Sequence, residues 1–344
     1  GYVLPAAIDK GIYFALAKNN SSVINIYAAD FDEMLSVDRN EIQPISGWKN
    51  YVLSILNQFK NLNKNIEGFN CVFSGDIPSG AGLSSSAAVE GGLAFALNDV
   101  FNIGLSKFEL VQLCQKAEHG YPNVKCGIMD MYANIFGKQN HVLLIDCKIN
   151  THEYYQIQLG NYKVVLFNTN VNHSLASGEY NIRRQNCEEG LAILKNELNI
   201  NSFRDIEDVS MIDSCKTKMR NEVFNCCKYV IEEIWRTKKA AAFLQNNNLT
   251  EFGKLMFKTH EGLDKLYNVS CAELNFLVNE VSGNSNVLGA RLVGGGFGGC
   301  TINIIKDDVV NDIINDVSKK YSKIFNKNLS TYIVNLYNGT NKLM

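Results

Sequence analysis

The chain has 344 residues, too many for one small hydrophobic core, so two domains are expected. Apolar residues make up 46% and charged residues 20%, as in ordinary soluble globular proteins, and the net charge of −2 leaves no basic surplus for a nucleic acid or an anionic membrane. Because no apolar run reaches the roughly 20 residues that span a bilayer, and no signal peptide opens the chain, we expect a cytoplasmic protein that binds neither nucleic acid nor membrane.

The ten cysteines are scattered without a C-x-x-C pair, and the five histidines form no H-x-x-x-H pair. Cys71, Cys114 and Cys300 lie among apolar neighbours, where a free thiol behaves as a small hydrophobic group. We therefore expect neither a structural metal nor a disulfide scaffold.

In chain order, short strands and helices are mixed in the first half of the sequence. Strands are predicted at Ile12–Leu16, Val23–Ala28, Phe69–Phe73, His141–Asp146 and Tyr162–Phe167. Helices are predicted at Gly47–Leu62, Ser84–Val100 and Lys107–Glu118.

The second half is mostly helical from about Glu188 to Tyr267, with a polar turn near Asn246–Asn248. Paired strands are predicted at Ala290–Val293 and Thr301–Ile305. The mixture lacks a strict βαβ rhythm, so an α+β fold is favoured over a doubly wound sheet. The domain boundary is expected around residues 155–162, which gives domains 1–158 and 159–344.

A run of small residues leads directly into the second predicted helix. It consists of Gly80, Ala81, Gly82, Leu83, Ser84, Ser85 and Ser86. The two glycines allow an anion to approach the main chain, and the serines lie at a helix N-terminus, where free N–H groups favour phosphate. An ordinary N-cap would need one serine, so three serines favour a phosphate site. The run is not a Walker A loop, because Ala81 stands where the lysine should be.

A second glycine cluster, Gly294–Gly299, contains the dinucleotide-binding spacing G-x-G-x-x-G. We reject a dinucleotide-binding role for this cluster. In dinucleotide-binding proteins the G-x-G-x-x-G spacing is followed by a helix, whereas here a predicted strand follows. Five glycines between two strands instead predict a hairpin-like connection whose backbone presses on a ligand, since a simple turn needs only one or two.

Two acidic residues are candidates for chemistry. Asp130 is isolated among apolar side chains, a setting that suits a general base, although a lone aspartate is as often a cap or a turn residue. Glu118 lies 32 positions after Ser86, so the two approach each other only if their helices pack together. A hydroxyl and a carboxylate would be suitable oxygen ligands for Mg²⁺. On its own, Glu118 would be interpreted as a solvated helix residue.

A polar segment, Asn168–Tyr180, follows the predicted strand Tyr162–Phe167, which is where binding loops are usually found. Tyr180 offers a ring and a hydroxyl that would suit a sugar. A plain loop leading into a helix would have the same composition, and both interpretations stay open.

Taken together, these stretches resemble the GHMP kinases and, within them, the galactokinases. Gly80–Ala87 resembles the phosphate loop of the family, and Gly294–Gly299 resembles its third motif. Cys126–Asp130, Asn168–Tyr180 and the segment 260–271 narrow the resemblance to the galactokinases. The motifs occur in the expected order along nearly the whole chain.

The resemblance implies an α+β fold of two domains, the first like the second domain of ribosomal protein S5 and the other ferredoxin-like. It implies that the γ-phosphate of ATP, with Mg²⁺, is transferred to the anomeric hydroxyl of galactose. Asp130 matches the base that takes the proton from this hydroxyl, Ser86 and Glu118 match the Mg²⁺ ligands, and Gly80–Ser86 match the loop around the ATP phosphates. The other matches are sugar contacts at Gly127 and Tyr180 and aromatic positions beside the adenine at Trp48 and Tyr51.

The sequence departs from the family pattern in two places. In the family, a GEHTDYNGG-like motif with several sugar ligands precedes the Val3–Asp9 segment, and an arginine that supports the phosphate charge lies a few residues earlier. The chain starts at Gly1, just inside that motif, so we expect it to be a fragment of a longer protein. Met131 stands where the family usually has glutamine, which would loosen a polar contact beneath the base.

Two other functions stay open on the sequence alone. One is the same chemistry on N-acetylgalactosamine, because room around the sugar 2-position is not visible in the sequence. The other is a non-catalytic sensor of galactose and ATP that controls a partner protein. Such sensors tend to have a damaged phosphate loop, whereas Ser84–Ala88 is intact, so an enzyme is favoured. The oligomeric state is unknown from the sequence.

Overall fold

A computed structural model gives the structure over residues 1–78, 80–171 and 176–343, without the side chains of residues 176, 177 and 180. The strands in these ranges are β1 (Tyr2–Val3), β2 (Ile12–Lys18), β3 (Val23–Ala28), β4 (Glu33–Asp38), β5 (Phe69–Gly75), β6 (His141–Asp146), β7 (Thr151–Gln156), β8 (Tyr162–Asn168), β9 (Val287–Leu292), β10 (Cys300–Lys306) and β11 (Ser330–Val334). The helices are α1 (Lys49–Asn61), α2 (Ser85–Val100), α3 (Lys107–His119), α4 (Met129–Phe136), α5 (Ala176–Leu198), α6 (Asn221–Gln245), α7 (Leu249–Lys265), α8 (Ala272–Val281) and α9 (Val310–Phe325). Within the same ranges, no helix has both the length and the apolar character to cross a membrane.

The strands of the described residues form three sheets. Their orders are β2-β5-β3-β4, β11-β8-β10-β9 and β1-β6-β7. Strands β3 and β5 run parallel, whereas the other neighbouring strands are antiparallel. Largely antiparallel sheets with helices outside any βαβ rhythm confirm the predicted α+β class.

The chain divides into two compact units, each assembled from separate stretches of sequence. The N-unit consists of Pro5–Pro78, Ser84–Gln139 and Leu336–Met344. The C-unit consists of Gly1–Leu4, Ser79–Leu83 and Asn140–Asn335. The predicted domain boundary between residues 158 and 159 stays a prediction, and the compact units change at other places in the chain.

In the N-unit, helix α3 is fixed at both of its ends. At its start, the Ser106 hydroxyl accepts the Glu109 N–H, and the Glu109 carboxylate accepts the Ser106 N–H at 2.8 Å, which together form a capping box. Near its other end, the Ser54 hydroxyl of α1 donates to the Ala117 carbonyl at 2.6 Å. These contacts hold the last turn of α3, which carries Glu118.

In the C-unit, strands β9 and β10 pair antiparallel on either side of the second glycine cluster, as predicted. The end of β9 next to the glycine cluster is held from α7, because Nδ1 of the buried His260 accepts the Leu292 N–H at 3.2 Å. The same sheet is anchored by Val165 and Phe167 of β8, both fully buried in the core. The glycine cluster therefore projects from a rigid edge of the sheet.

Helix α7 packs on strand β9 through two glycines. A Cβ atom added at Gly253 would lie 2.2 Å from the Leu288 carbonyl oxygen, and one at Gly289 would lie 2.5 Å from the Gly253 carbonyl oxygen. Both obstructing atoms belong to the backbone, so the helix and the strand would have to separate to accept a side chain. This close approach places α7, and His260 with it, beside the hairpin.

Gly253→Ala should therefore lower the free energy of unfolding by about 1–3 kcal/mol, the usual cost of overpacking a core. Denaturant titration followed by circular dichroism would measure the change. Gly178→Ala is the matched control, since Gly178 is also helical but a Cβ there meets no atom within 4 Å. The control should be neutral or stabilising, because alanine favours a helix. Equal stability of Gly253→Ala and wild type would contradict the packing argument.

Candidate active site

The first glycine run begins in the C-unit. Gly80 and Gly82 have φ angles of 71° and 70°, in the left-handed region that favours glycine. Ala81 between them is buried, whereas Gly82 is exposed. The loop thus needs a glycine on each side of an anchored alanine.

The two glycine clusters lie backbone against backbone within the C-unit. A Cβ atom added at Gly299 would be 2.9 Å from the Ala81 carbonyl oxygen, and one at Gly294 would be 2.7 Å from the Gly82 carbonyl oxygen. The sequence predicted that the second cluster presses on a ligand. Contact with a ligand stays a prediction, and among the described residues the cluster contacts the first glycine run, over 200 positions earlier in the chain.

Helix α2 begins in the N-unit directly after this loop. Ser84 is its N-cap residue with a left-handed φ of 57°, and its side chain makes no capping hydrogen bond. The first turn of α2 also contains no acidic residue. The N–H groups of this first turn are suited to an anion, because the Ser84 side chain does not cap them. The positive end of the helix dipole adds to the attraction.

Ser86 and Glu118 lie together, which the sequence allowed only if their helices packed against each other. The Ser86 hydroxyl donates to Glu118 Oε1 at 3.0 Å, which joins α2 to the last turn of α3. The second oxygen, Glu118 Oε2, accepts from the Cys126 thiol at 3.3 Å. Burial raises the pKa of Glu118, and the hydrogen bonds from Cys126 and Ser86 lower it in part. Glu118 is thus a buried carboxyl held by two donors, not a solvated helix residue.

Asp130 lies in the first turn of α4, and its side chain is partly exposed. Burial raises the pKa of Asp130, and a hydrogen bond with the Ser84 side chain lowers it in part. The charge of Asp130 also raises the pKa of Glu118, so the two carboxyls interact electrostatically. The start of α2, Glu118 and Asp130 therefore converge within the N-unit, and Met131 beside Asp130 is fully buried.

One acidic residue near this group was not predicted from the sequence. Glu90 is 0% exposed, and neither of its carboxyl oxygens has a hydrogen-bond partner. Burial, together with the charge of Glu118, raises the pKa of Glu90 to about 10. A single glutamate inside the apolar helix Ser85–Val100 was the signal available in the sequence.

The predicted aromatic positions lie in different surroundings. Burial raises the pKa of Tyr51, and the charges of Glu118 and Glu90 raise it further. Trp48 instead stacks on Phe31, with ring centroids 6.4 Å apart, and its Nε1 donates to Glu33 at 3.1 Å.

The predicted sugar contacts are only partly described. Gly127 is exposed, and a Cβ atom there would meet no atom within 4 Å. The side chain of Tyr180, and residues 172–175 of the polar segment, lie outside the described residues.

Comparison with known proteins identifies the family. Residues 50–138 match the family model described as GHMP kinases N terminal domain, and residues 240–323 match the one described as GHMP kinases C terminal. The galactokinase of Clostridium acetobutylicum is 36% identical, and the match covers 100% of this chain and 90% of that protein. The chain belongs to the galactokinase family. It is therefore a kinase, and ATP is its co-substrate.

Other galactokinases agree with this assignment. The Bacillus subtilis galactokinase is 36% identical over 90% of this chain and 81% of its own length. Among solved structures, the Lactococcus lactis galactokinase complexed with galactose has a TM-score of 0.95 and 31% identity, covering 100% of this chain and 90% of that one. A mevalonate kinase structure, at a TM-score of 0.67 and 21% identity, shows the shared fold. The two-domain α+β fold of the GHMP kinases is thus confirmed, while the cytoplasmic location stays a prediction.

Glu90 makes the stability of the protein depend on pH. Its pKa is about 10 in the folded state, against an ordinary value of 4.5. As the pH rises above about 4.5, the unfolded chain loses this proton while the folded chain keeps it, so wild-type stability falls towards pH 10. Glu90→Gln removes this effect and should gain up to about 1.4 kcal/mol of relative stability for each pH unit in that window.

Urea denaturation of wild type and Glu90→Gln between pH 5.5 and 8.5 would measure this gain. Exposed Glu67 provides the control Glu67→Gln, which should follow the wild-type pH dependence. A constant difference between Glu90→Gln and wild type across the range would show that Glu90 is ionised in the folded protein.

Proposed function

We propose that this chain transfers the γ-phosphoryl group of ATP to the anomeric O1 of galactose and so forms galactose 1-phosphate. The observation that carries the proposal is the convergence of the Ser84–Ser86 helix start with the carboxyl groups of Glu118 and Asp130. The start of the helix would bind phosphate, and the nearby Asp130 carboxyl group is a candidate proton acceptor. The galactose-bound Lactococcus lactis relative supports the choice of sugar.

The glycine run and the start of α2 would hold the phosphates of ATP. Gly80–Leu83 offers backbone that an anion can approach, and Ser84–Ser86 offers hydroxyls and helix N–H groups. Phosphoryl transfer depends mostly on positioning and on stabilising the charge of the transferred group. These residues therefore contribute by fixing the γ-phosphorus in line with the attacking oxygen.

Ser86 and Glu118 would hold Mg²⁺. Their oxygens lie 3.0 Å apart at the end of the phosphate loop, and hard oxygen ligands are those that Mg²⁺ prefers. Two protein oxygens would leave the remaining ligand positions of the ion to phosphate and water oxygens. When bound, the ion would supply positive charge that the loop lacks because it has no Walker lysine.

Asp130 would be the general base. Its carboxylate would accept the O1 proton as the new P–O bond forms, while ADP leaves with the electrons of the broken bond. Because burial raises its pKa, Asp130 would be a stronger proton acceptor than a solvated aspartate. Gly127 and Tyr180 would contact the sugar, and Trp48 and Tyr51 would lie beside the adenine.

The function is tested by incubating the full-length protein with Mg-ATP and a panel of hexoses and recording phosphorus NMR spectra. We expect galactose 1-phosphate as the main product and none when EDTA replaces Mg²⁺. A product formed only from N-acetylgalactosamine would correct the substrate. Binding of galactose and ATP without any product would instead identify a sensor.

Asp130→Asn should lower kcat by about 10²–10⁴-fold, the usual contribution of a general base, and leave the Kd for ATP little changed. The amide cannot accept the proton, but it keeps the volume of the carboxyl group. Coupled-assay kinetics and calorimetric titration with an ATP analogue would give the two quantities. A parallel loss of nucleotide affinity would show that Asp130 is structural, and Asp99→Asn, on the exposed end of α2, is the control.

A further inference from the structure

The guanidinium group of Arg183 in α5 is engaged on every side. Its Nε donates to the Tyr267 carbonyl at 2.8 Å, and its Nη2 donates to the Asn268 carbonyl at 2.9 Å. Its Nη1 lies 3.2 Å from Glu179 Oε2, one turn earlier in the same helix. The Arg183 side chain is only 12% exposed, whereas its Glu179 partner is 39% exposed. All of these residues belong to the C-unit.

The same guanidinium group also lies over the ring of Phe297, 5.8 Å from its centroid, within the range of a cation–π contact. Phe297 is the one non-glycine residue between Gly294 and Gly299, yet it has a left-handed φ of 59°. A bulky residue adopts this conformation only where its surroundings impose it. The Arg183 contact is one of the interactions that hold it there.

The turn that Arg183 binds is itself joined to the glycine cluster. The Phe297 N–H donates to the Val269 carbonyl at 2.7 Å, one residue beyond Asn268. A Cβ atom added at Gly296 would lie 2.1 Å from the same carbonyl oxygen, so the two backbones are in contact. At its far end, the cluster lies against the backbone of Ala81 through Gly299. A continuous series of contacts therefore connects Arg183 with the phosphate loop.

We propose that Arg183 is a positioning residue for nucleotide binding: it clamps the 267–269 turn and Phe297, and so holds the second glycine cluster against the phosphate loop. This inference rests on the proposed role of Gly80–Ser86 in binding the ATP phosphates. Arg183 would touch neither the nucleotide nor any reacting atom. Its effect is exerted through the shape of the loop.

The clamp requires arginine and not merely a positive charge. The planar fork of the guanidinium group reaches two successive carbonyl oxygens at once and presents a flat face to the Phe297 ring. A lysine ammonium group is a compact point charge that cannot make all of these contacts together. The exposed neighbour Arg184 instead pairs with Glu188 along the helix surface, which makes it a control for charge and helix position.

The experiment compares Arg183→Lys and Arg183→Ala with the control Arg184→Ala. We expect the Kd for a non-hydrolysable ATP analogue, and the KM for ATP, to rise about tenfold or more in both Arg183 variants, as expected for a lost charge-assisted hydrogen bond. The KM for galactose should change less. Millimolar guanidinium should partly restore Arg183→Ala. Hydrogen exchange at residues 294–299 should accelerate while the β8 amides stay protected.

Phe297→Ala provides a second variant, in case Arg183→Ala fails to fold. Because both side chains belong to one clamp, Arg183→Lys and Phe297→Ala should weaken ATP binding by less in combination than the product of their separate effects. Unchanged analogue affinity in Arg183→Lys, or full independence of the two changes, would overturn the proposal. The binding measurement needs no turnover, so a wild-type protein that formed no galactose 1-phosphate would refute the proposed function without deciding the clamp.

Discussion

Direct contact between two stretches of backbone is the constraint on which the candidate phosphate site depends. The glycine cluster 294–299 can lie against Ala81 and Gly82 only because Gly294 and Gly299 have no side chain, since a Cβ atom at either position would fall within 3 Å of a carbonyl oxygen. Main chain is less free to move than a side chain, so this contact fixes the loop more firmly than side-chain packing would. The glycine cluster is held in place by the pairing of β9 with β10. It is also held by the hydrogen bond of His260 to Leu292 at the end of β9 and by the contacts of Arg183.

The N-unit contains three carboxyl groups whose pKa is raised by burial. These groups, Glu90, Glu118 and Asp130, come from three different helices. Their surroundings nevertheless differ, because Glu118 has a donor on each oxygen, Asp130 has the Ser84 side chain, and Glu90 has no hydrogen-bond partner. This difference separates the groups chemically: Glu90 is favoured in the neutral form, while the other two have partners that stabilise a carboxylate. Because Glu90 is neutral, it adds no third negative charge that would repel the carboxylates of Glu118 and Asp130.

Much of the fold near the site could be read from the sequence. Strands β3 and β6 have the predicted bounds, and α2 begins one residue after the predicted start, because apolar or β-branched runs bounded by polar turns are strong local signals. Strands β4 and β7 were missed because half or more of their residues are exposed, which weakens the apolar signal of a strand. Helix α4 was missed because it has only eight residues and no side-chain cap, so its local sequence carries little helical signal.

The candidate site was predictable only in part. The glycine and serine residue types indicated the phosphate run, which stays a prediction, whereas the approach of Ser86 to Glu118 was expected only on the condition that their helices packed. The Cys126 thiol on Glu118 and the contact between the two glycine clusters are long-range or depend on side-chain geometry, and neither has a local sequence signal. The clamp by Arg183 belongs to the same class, because the two carbonyl oxygens that it binds lie over 80 positions further along the chain.

The sequence segments alternate between the two compact units, and this alternation affects how such a protein can evolve. Six segments, three for each unit, mean that the chain passes from one unit to the other five times. One of these passages falls inside the glycine–serine run, between Leu83 and Ser84. Neither unit is therefore a single contiguous stretch that one recombination event could transplant into another gene. Exchange of one unit would need several simultaneous breaks in the gene, so substitutions within the existing chain are the simpler route to diversification.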